Sequence, residues 1–178
     1  MFERILERMR RLVRDSQYVL TVHGQEAMED DDLTIFDVER CLLTGRIVER
    51  QGDRQRGEWK YLVQGGNDRR HGHGRSRQDR ADTPARDSDR VSRWRVSGMT
   101  MVCDVCGQKG ARIRRMTRSF GKGKTTFLIE AVPVVSCPRC GESYLTPSTL
   151  REIERIRLHR RQLTEDRVVP VARFGGAA

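Results

Sequence analysis

Two Cys-x-x-Cys pairs, CDVCG at Cys103–Gly107 and CPRCG at Cys137–Gly141, stand thirty residues apart and restrict this chain more than any other feature. A tetrahedral Zn²⁺ takes four thiolates at about 2.3 Å, and each Cys-x-x-Cys turn offers two sulfurs on one side of a tight knuckle. Gly107 and Gly141 follow the second cysteines. They can take the positive φ that turns backbone N–H groups back toward sulfur. Pro138 stiffens the second knuckle. A thioredoxin-type dithiol needs a single such pair at a strand–helix junction, so two matched pairs point to metal. Cys103, Cys106, Cys137 and Cys140 are therefore expected to hold one Zn²⁺. A four-cysteine shell leaves no open position, which makes that zinc structural.

The residues between the knuckles read as a β-hairpin. ARIRRMTRSF and TTFLIEAVPVV flank the glycine-rich turn GKGK, and the whole reads as a zinc ribbon. GKGKTT has the wrong glycine spacing for a phosphate-binding P-loop. Thr146 and Pro147 open a helix expected to run through Leu163, with Leu150, Ile153, Ile156 and Leu163 as its apolar stripe and His159 facing solvent. VVPVARF (168–174), apolar and interrupted by Pro170, is expected to form a short C-terminal edge strand able to extend a partner's sheet.

The opening residues have a different character. Phe2, Ile5, Leu6, Met9, Leu12 and Val13 share one helical face. YVLTVH (18–23) reads as a strand, and an acidic helical segment follows through Gln25–Asp31. Thr34 and Asp37 form the N-terminal signature of a further helix ended by Gly45, on which Cys41 is a small core residue. RIVER and EWKYLV are two strands joined by QGDRQRG. The overall expectation is an α+β chain.

Between these parts lies GGNDRRHGHGRSRQDRADTPARDSDRVSRWRVSG, with the composition of disorder. Its His71 and His73 are expected to be solvated. The divisions are thus residues 1–64, a linker at 65–98, and the ribbon at 99–178. Basic against acidic residues number 11 to 13, 9 to 5 and 15 to 7 in these segments. The first is net −2 and the last +8, or about +6 once four thiolates bind Zn²⁺. In a GC-rich gene, codons for NDRRHGHGRS can be chosen so that the frame one base over reads Thr-Thr-Gly-Gly-Thr-Val-Thr-Val-Val-Ala, a strand-like run. The linker is accordingly a candidate out-of-frame stretch, with Met99 or Met101 the start of a second gene; three-frame translation of the coding DNA tests this. No segment has the length of a membrane span, the N-terminus lacks a signal-peptide core, and cysteines in metal spacing fit a reducing cytoplasm.

Residues 101–174, through the CDVCG knuckle, the hairpin, EAVPVVSCPRCGESYL and the helix, resemble the YgiT-type zinc finger family, the zinc-binding portion of MqsA-like antitoxins. That resemblance implies Zn²⁺ at the four cysteines and a cognate toxin, or the chain's own N-terminal module, as partner. TVHGQEAM, LTIFDVERCLLTGRIVERQ and EWKYLVQG resemble small toxin-side proteins of unknown function that look like distant relatives of RelE and MqsR ribonucleases. Residues 1–64 would then be a truncated RelE/MqsR-like module with an incomplete sheet. In a ribonuclease reading, His23, Lys60 and Tyr61 are candidates for acid/base chemistry or phosphate contacts; their ordinary roles would be a helix-start cap, a strand lysine and a core tyrosine. The implied function is a toxin–antitoxin fusion, natural or from a frameshift, whose ribbon neutralises a ribonuclease toxin. The alternatives are a self-inhibited endoribonuclease in residues 1–64, and a ribbon binding RNA or DNA through its arginine-rich surfaces in transcriptional autoregulation.

Overall fold

The computed structural model describes residues 2–53, 58–65, 83–85 and 101–171, and the chain is α+β. Helix α1 (Glu3–Arg14) buries Leu6, Met9 and Val13 on the stripe expected of it. After it, strand β1 spans only Leu20–Thr21, shorter than the YVLTVH run. The strand stops because Thr21 caps the next helix: its hydroxyl accepts the Gly24 N–H at 3.0 Å, opening α2 (Val22–Asp30). Helix α3 (Ile35–Thr44) begins with a full capping box. Thr34 Oγ1 accepts the Asp37 N–H at 3.2 Å and Asp37 Oδ2 accepts the Thr34 N–H at 2.9 Å.

Gly45 ends α3, but not through a left-handed turn, since its φ is −77°. It is needed for close approach: a Cβ there would lie 2.4 Å from the Cys41 carbonyl oxygen and 2.6 Å from that of Gln64. Cys41 packs beside the cluster of Met9, Val13, Leu42, Tyr61 and Val63. β2 (Arg46–Asp53) and β3 (Glu58–Gln64) form the expected antiparallel hairpin, with a register shift between Ile47 and Glu49. The expectation of a wholly disordered 65–98 linker is corrected at one point. Thr83–Ala85 forms β4, antiparallel to β3 with Ala85 opposite Trp59. It supplies partners for backbone groups that β3 would otherwise expose, and Pro84, lacking an N–H, suits an edge strand. The remainder of 66–100, with His71 and His73, lies outside the described residues.

In the second half, β5 (Met101–Val102), β6 (Lys109–Phe120), β7 (Phe127–Ser136) and β8 (Ser143–Leu145) are antiparallel neighbours in a five-stranded sheet of order β1-β8-β7-β6-β5. The N-terminal part thus contributes a strand to the ribbon's sheet, with Leu20 opposite Leu145. α4 (Pro147–Leu158) starts at Thr146, whose hydroxyl accepts the Thr149 N–H. The single helix expected through Leu163 is divided at His159, exposed as expected, with α5 (Arg160–Leu163) beyond it. Leu163 is exposed, so the apolar stripe that holds α4 to the core has already ended. Val168–Val171 is not a strand in the described residues, and Val168 is fully exposed. Pro170 removes a ladder donor from this run, and among the described residues no sheet edge receives it. The rest of VVPVARF lies outside the described residues.

The main core joins both parts. Met28 and Ile35 from α2 and α3 cluster with Phe120, Val132, Val134, Leu145, Leu150 and Ile153 from the ribbon and α4. Around it, acidic groups of the first part meet donors of the second. Arg118 pairs with Glu26 at 3.2 Å, Arg151 with Glu39 at 3.0 Å and Arg157 with Glu29 at 3.7 Å. Lys122 Nζ donates to the Asp30 carbonyl at 2.6 Å.

Glu154, only 5% exposed, lies where the parts meet and accepts the Ile35 N–H at the start of α3 at 3.4 Å. Burial raises its carboxyl above the ordinary range, against the opposing pull of Arg157. The folded chain therefore holds that proton more tightly than the unfolded chain. This group's contribution to stability is complete below the unfolded carboxyl pKa, about 4.3, and is lost as pH rises through the raised folded value. Glu154→Gln, which retains an acceptor oxygen, should flatten that part of the stability–pH curve. Urea unfolding across the mildly acidic range checks it, and a slope equal to that of the parent chain would remove Glu154 as its source.

Candidate metal centre

The knuckles close as their glycines require. Gly107 and Gly141 have φ of 69° and 75°, and their N–H groups donate to the Cys103 and Cys137 carbonyls at 2.8 and 2.9 Å. In the first knuckle, the Cys106 N–H also points at Cys103 Sγ, 3.4 Å away. The four sulfurs lie within 4.8 Å of one another. Cys103 and Cys140 are 3.9 Å apart and Cys106 and Cys137 3.7 Å. A tetrahedron with 2.3 Å metal–sulfur bonds has edges of about 3.8 Å, which these two separations match. The four cysteines can hold a metal ion.

Their surroundings are apolar and well supported. Val105, Ala111, Val135 and Tyr144 cluster with the buried Cys103 and Cys137. Burial pushes the Cys103 thiol up to about 12 and raises Cys140, while the backbone hydrogen bond from Cys140 leads in drawing Cys137 down to about 7. Cys103 and Cys140 thus resist losing their protons unaided; a divalent cation supplies the compensating charge. Behind the first knuckle, the fully buried Tyr144 hydroxyl accepts the Asp104 N–H at 3.0 Å and donates to Asp104 Oδ2 at 3.2 Å. Sequence reading missed Tyr144, although its aromatic type three residues after Gly141 was a signal that β8 packs against the centre. Tyr144→Phe should cost about 1–3 kcal/mol by leaving the knuckle's groups without that partner. Faster metal loss to a chelator at unchanged stoichiometry would register it; identical loss rates would count against the support.

The other candidate residues do not converge with the cysteines. His23 is exposed in the first turn of α2, beside the five-stranded sheet. Lys60 is exposed on β3 in the three-stranded sheet. Tyr61, its neighbour, is 5% exposed in the N-terminal cluster, its ring edge-on to Phe2 at 6.2 Å between centroids. That is the packing of a core tyrosine.

The fold and site define an α+β chain with a four-cysteine cluster able to hold a metal ion. A family model, a domain of unknown function (DUF4258), matches residues 20–73. The matched stretch contains His23, Lys60 and Tyr61 and ends before the ribbon. No curated protein and no solved structure matches the chain. Among the described residues, no helix is long and apolar enough to cross a membrane.

Proposed function

We propose that this chain is a toxin–antitoxin fusion whose YgiT-type, MqsA-like ribbon, ordered by one structural Zn²⁺, binds and neutralises a RelE/MqsR-like ribonuclease toxin in the cytoplasm. The partner is the chain's own N-terminal part or a cognate toxin of the same type. One observation carries the reading: acidic helices α2 and α3 sit on the basic hairpin and α4, with Glu26, Glu29 and Glu39 facing Arg118, Arg157 and Arg151. Opposite charges at such a contact select the partner more than they add affinity, while the shared apolar cluster supplies the adhesion. The same surface serves equally well if residues 1–64 and 99–178 derive from adjacent genes joined by a frameshift.

Binding in trans is the test. Tagged residues 1–98 should be retained by zinc-loaded residues 99–178, and growth arrest or RNA cleavage caused by the first piece or by a related toxin should be relieved by the second. Reversing Arg118, Arg151 and Arg157 to Glu should weaken retention roughly tenfold or more, because like charges then meet across the contact. A ribbon that carries zinc yet neither retains residues 1–98 nor protects RNA from a related toxin would end this reading.

A further inference from the structure

The ribbon's positive charge is used unevenly. Arg118, Arg151 and Arg157 face the N-terminal part, Arg155 is held by Glu152, and Arg167 pairs with Glu130 and Glu165. β6 differs. From Lys109 to Phe120 it contains five basic residues and no acidic one. Arg112, Arg114 and Arg115 are exposed, and the residues opposite them on β7 are Ser136, Val134 and Pro133. The one acidic residue of β7, Glu130, stands opposite none of them and pairs with Arg167 at 3.2 Å, while Arg115 also donates to the Ala131 carbonyl at 3.4 Å. On the other side, β5 reaches only Lys109 and Ala111, so among the described residues no strand lies beyond β6 from Arg112 onward. Arg112 and Arg114 project to the same side, roughly 6.8 Å apart along the strand, and the exposed hydroxyls of Thr117 and Ser119 follow them.

Charged residues on an edge strand, lysine above all, deter edge-to-edge aggregation, yet these three positions carry arginine. Uncompensated guanidinium groups in a row repel one another unless an anion comes between them. Guanidinium, unlike ammonium, presents a planar fork matched to phosphate. We propose that the β6 edge of the hairpin binds duplex DNA, with Arg112, Arg114 and Arg115 on the phosphate backbone and the two-stranded β6–β7 ribbon against the major groove. That groove, roughly 12 Å wide, admits a two-stranded ribbon, whereas the deep, narrow major groove of A-form RNA does not. Single strands are held chiefly by stacking on exposed aromatics. The hairpin offers none: Phe120 is buried and Phe127 packs on it in the core, 5.9 Å between ring centroids. Of the arginines that pair with the N-terminal part only Arg118 lies on β6, beyond the register shift at Met116/Arg118, and the three arginines named here leave it untouched, so DNA binding and docking can be measured separately.

Fluorescence anisotropy of the full-length, zinc-loaded chain with a mixed-sequence duplex about two helical turns long, titrated from low to moderate salt, tests the proposal. Each phosphate contact adds about 0.9 to the slope of log affinity against log salt. R112Q/R114Q/R115Q should therefore lose roughly 2–3 units of slope and bind roughly tenfold or more weakly at low salt. The corresponding triple lysine variant should recover most of the slope, and Arg155→Gln should leave it unchanged. Zinc content and the melting curve report folding in each case. An unaltered slope in the glutamine variant overturns the proposal. So does parent-chain binding to single-stranded RNA or to polyglutamate that is tighter than to the duplex. A glutamine variant that aggregates while keeping its DNA affinity overturns it too, and assigns the arginines to edge protection instead.

Discussion

Replacing Cys137 by Ser should release the metal and unfold the ribbon. Cys137 is 2% exposed and its sulfur stands 3.7 Å from that of Cys106, so serine leaves a poor substitute ligand, a hydroxyl, inside an apolar pocket that also contains Val105, Val135 and Tyr144. Structural zinc in small modules contributes about 10–16 kcal/mol of apparent binding energy coupled to folding. Losing even a third of that is a large share of the roughly 5–15 kcal/mol by which a typical domain is stable. Metal analysis should fall from one equivalent per chain to a small fraction of it, and circular dichroism should lose the hairpin's signal. Chelation of the parent chain should reproduce the change and added Zn²⁺ should reverse it. A serine variant that keeps a full equivalent of zinc and the parent melting curve would refute a structural role for the metal.

The parts of this fold that were legible in the sequence are those where local chemistry decides the outcome. The N-cap at Thr34, the glycines after each knuckle and the Thr146–Pro147 helix start depend on a few adjacent residues, and all take the expected form. The four-cysteine cluster was legible for the same reason, since paired cysteines at fixed spacing have few other uses. Local pattern was less informative wherever a distant partner set the boundary. YVLTVH has the composition of a six-residue strand, yet only Leu20 and Thr21 find a ladder, against Leu145 and Tyr144. VVPVARF has strand composition, and its described residues find none. β4 is the converse case: three residues in a polar, arginine-rich run pair with β3 because the neighbouring edge is available. Glu154 and Tyr144 carry no motif at all, and their roles follow from the Ile35 N–H and from Asp104, which only the folded chain places beside them.

The shared core leads to the second large effect, expected from Leu145→Ala. Leu145 is fully buried, ends β8 opposite Leu20 of β1, and packs in the cluster that contains Met28 and Ile35 as well as Phe120, Val134 and Ile153. Truncating it removes about three carbons from a close-packed interior and leaves a cavity, which costs about 2–5 kcal/mol. That cost should be felt on both sides of the contact, because the same side chain supports the ribbon's sheet and the floor beneath α2 and α3. Amide exchange should therefore quicken in α3 and in the β6–β7 hairpin alike, and both should lose protection in one denaturant transition shifted to lower urea. Leu163→Ala, which trims an exposed side chain on α5, should change stability by no more than about 0.5 kcal/mol. If Leu145→Ala weakened the hairpin while α3 kept its parent protection, the two parts would be folding independently. The apolar cluster between them would then be a contact of convenience that does not bind the N-terminal part to its ribbon. Loss in both would make the cluster the adhesive, and would give the charge pairs around it the narrower task of choosing which partner is admitted.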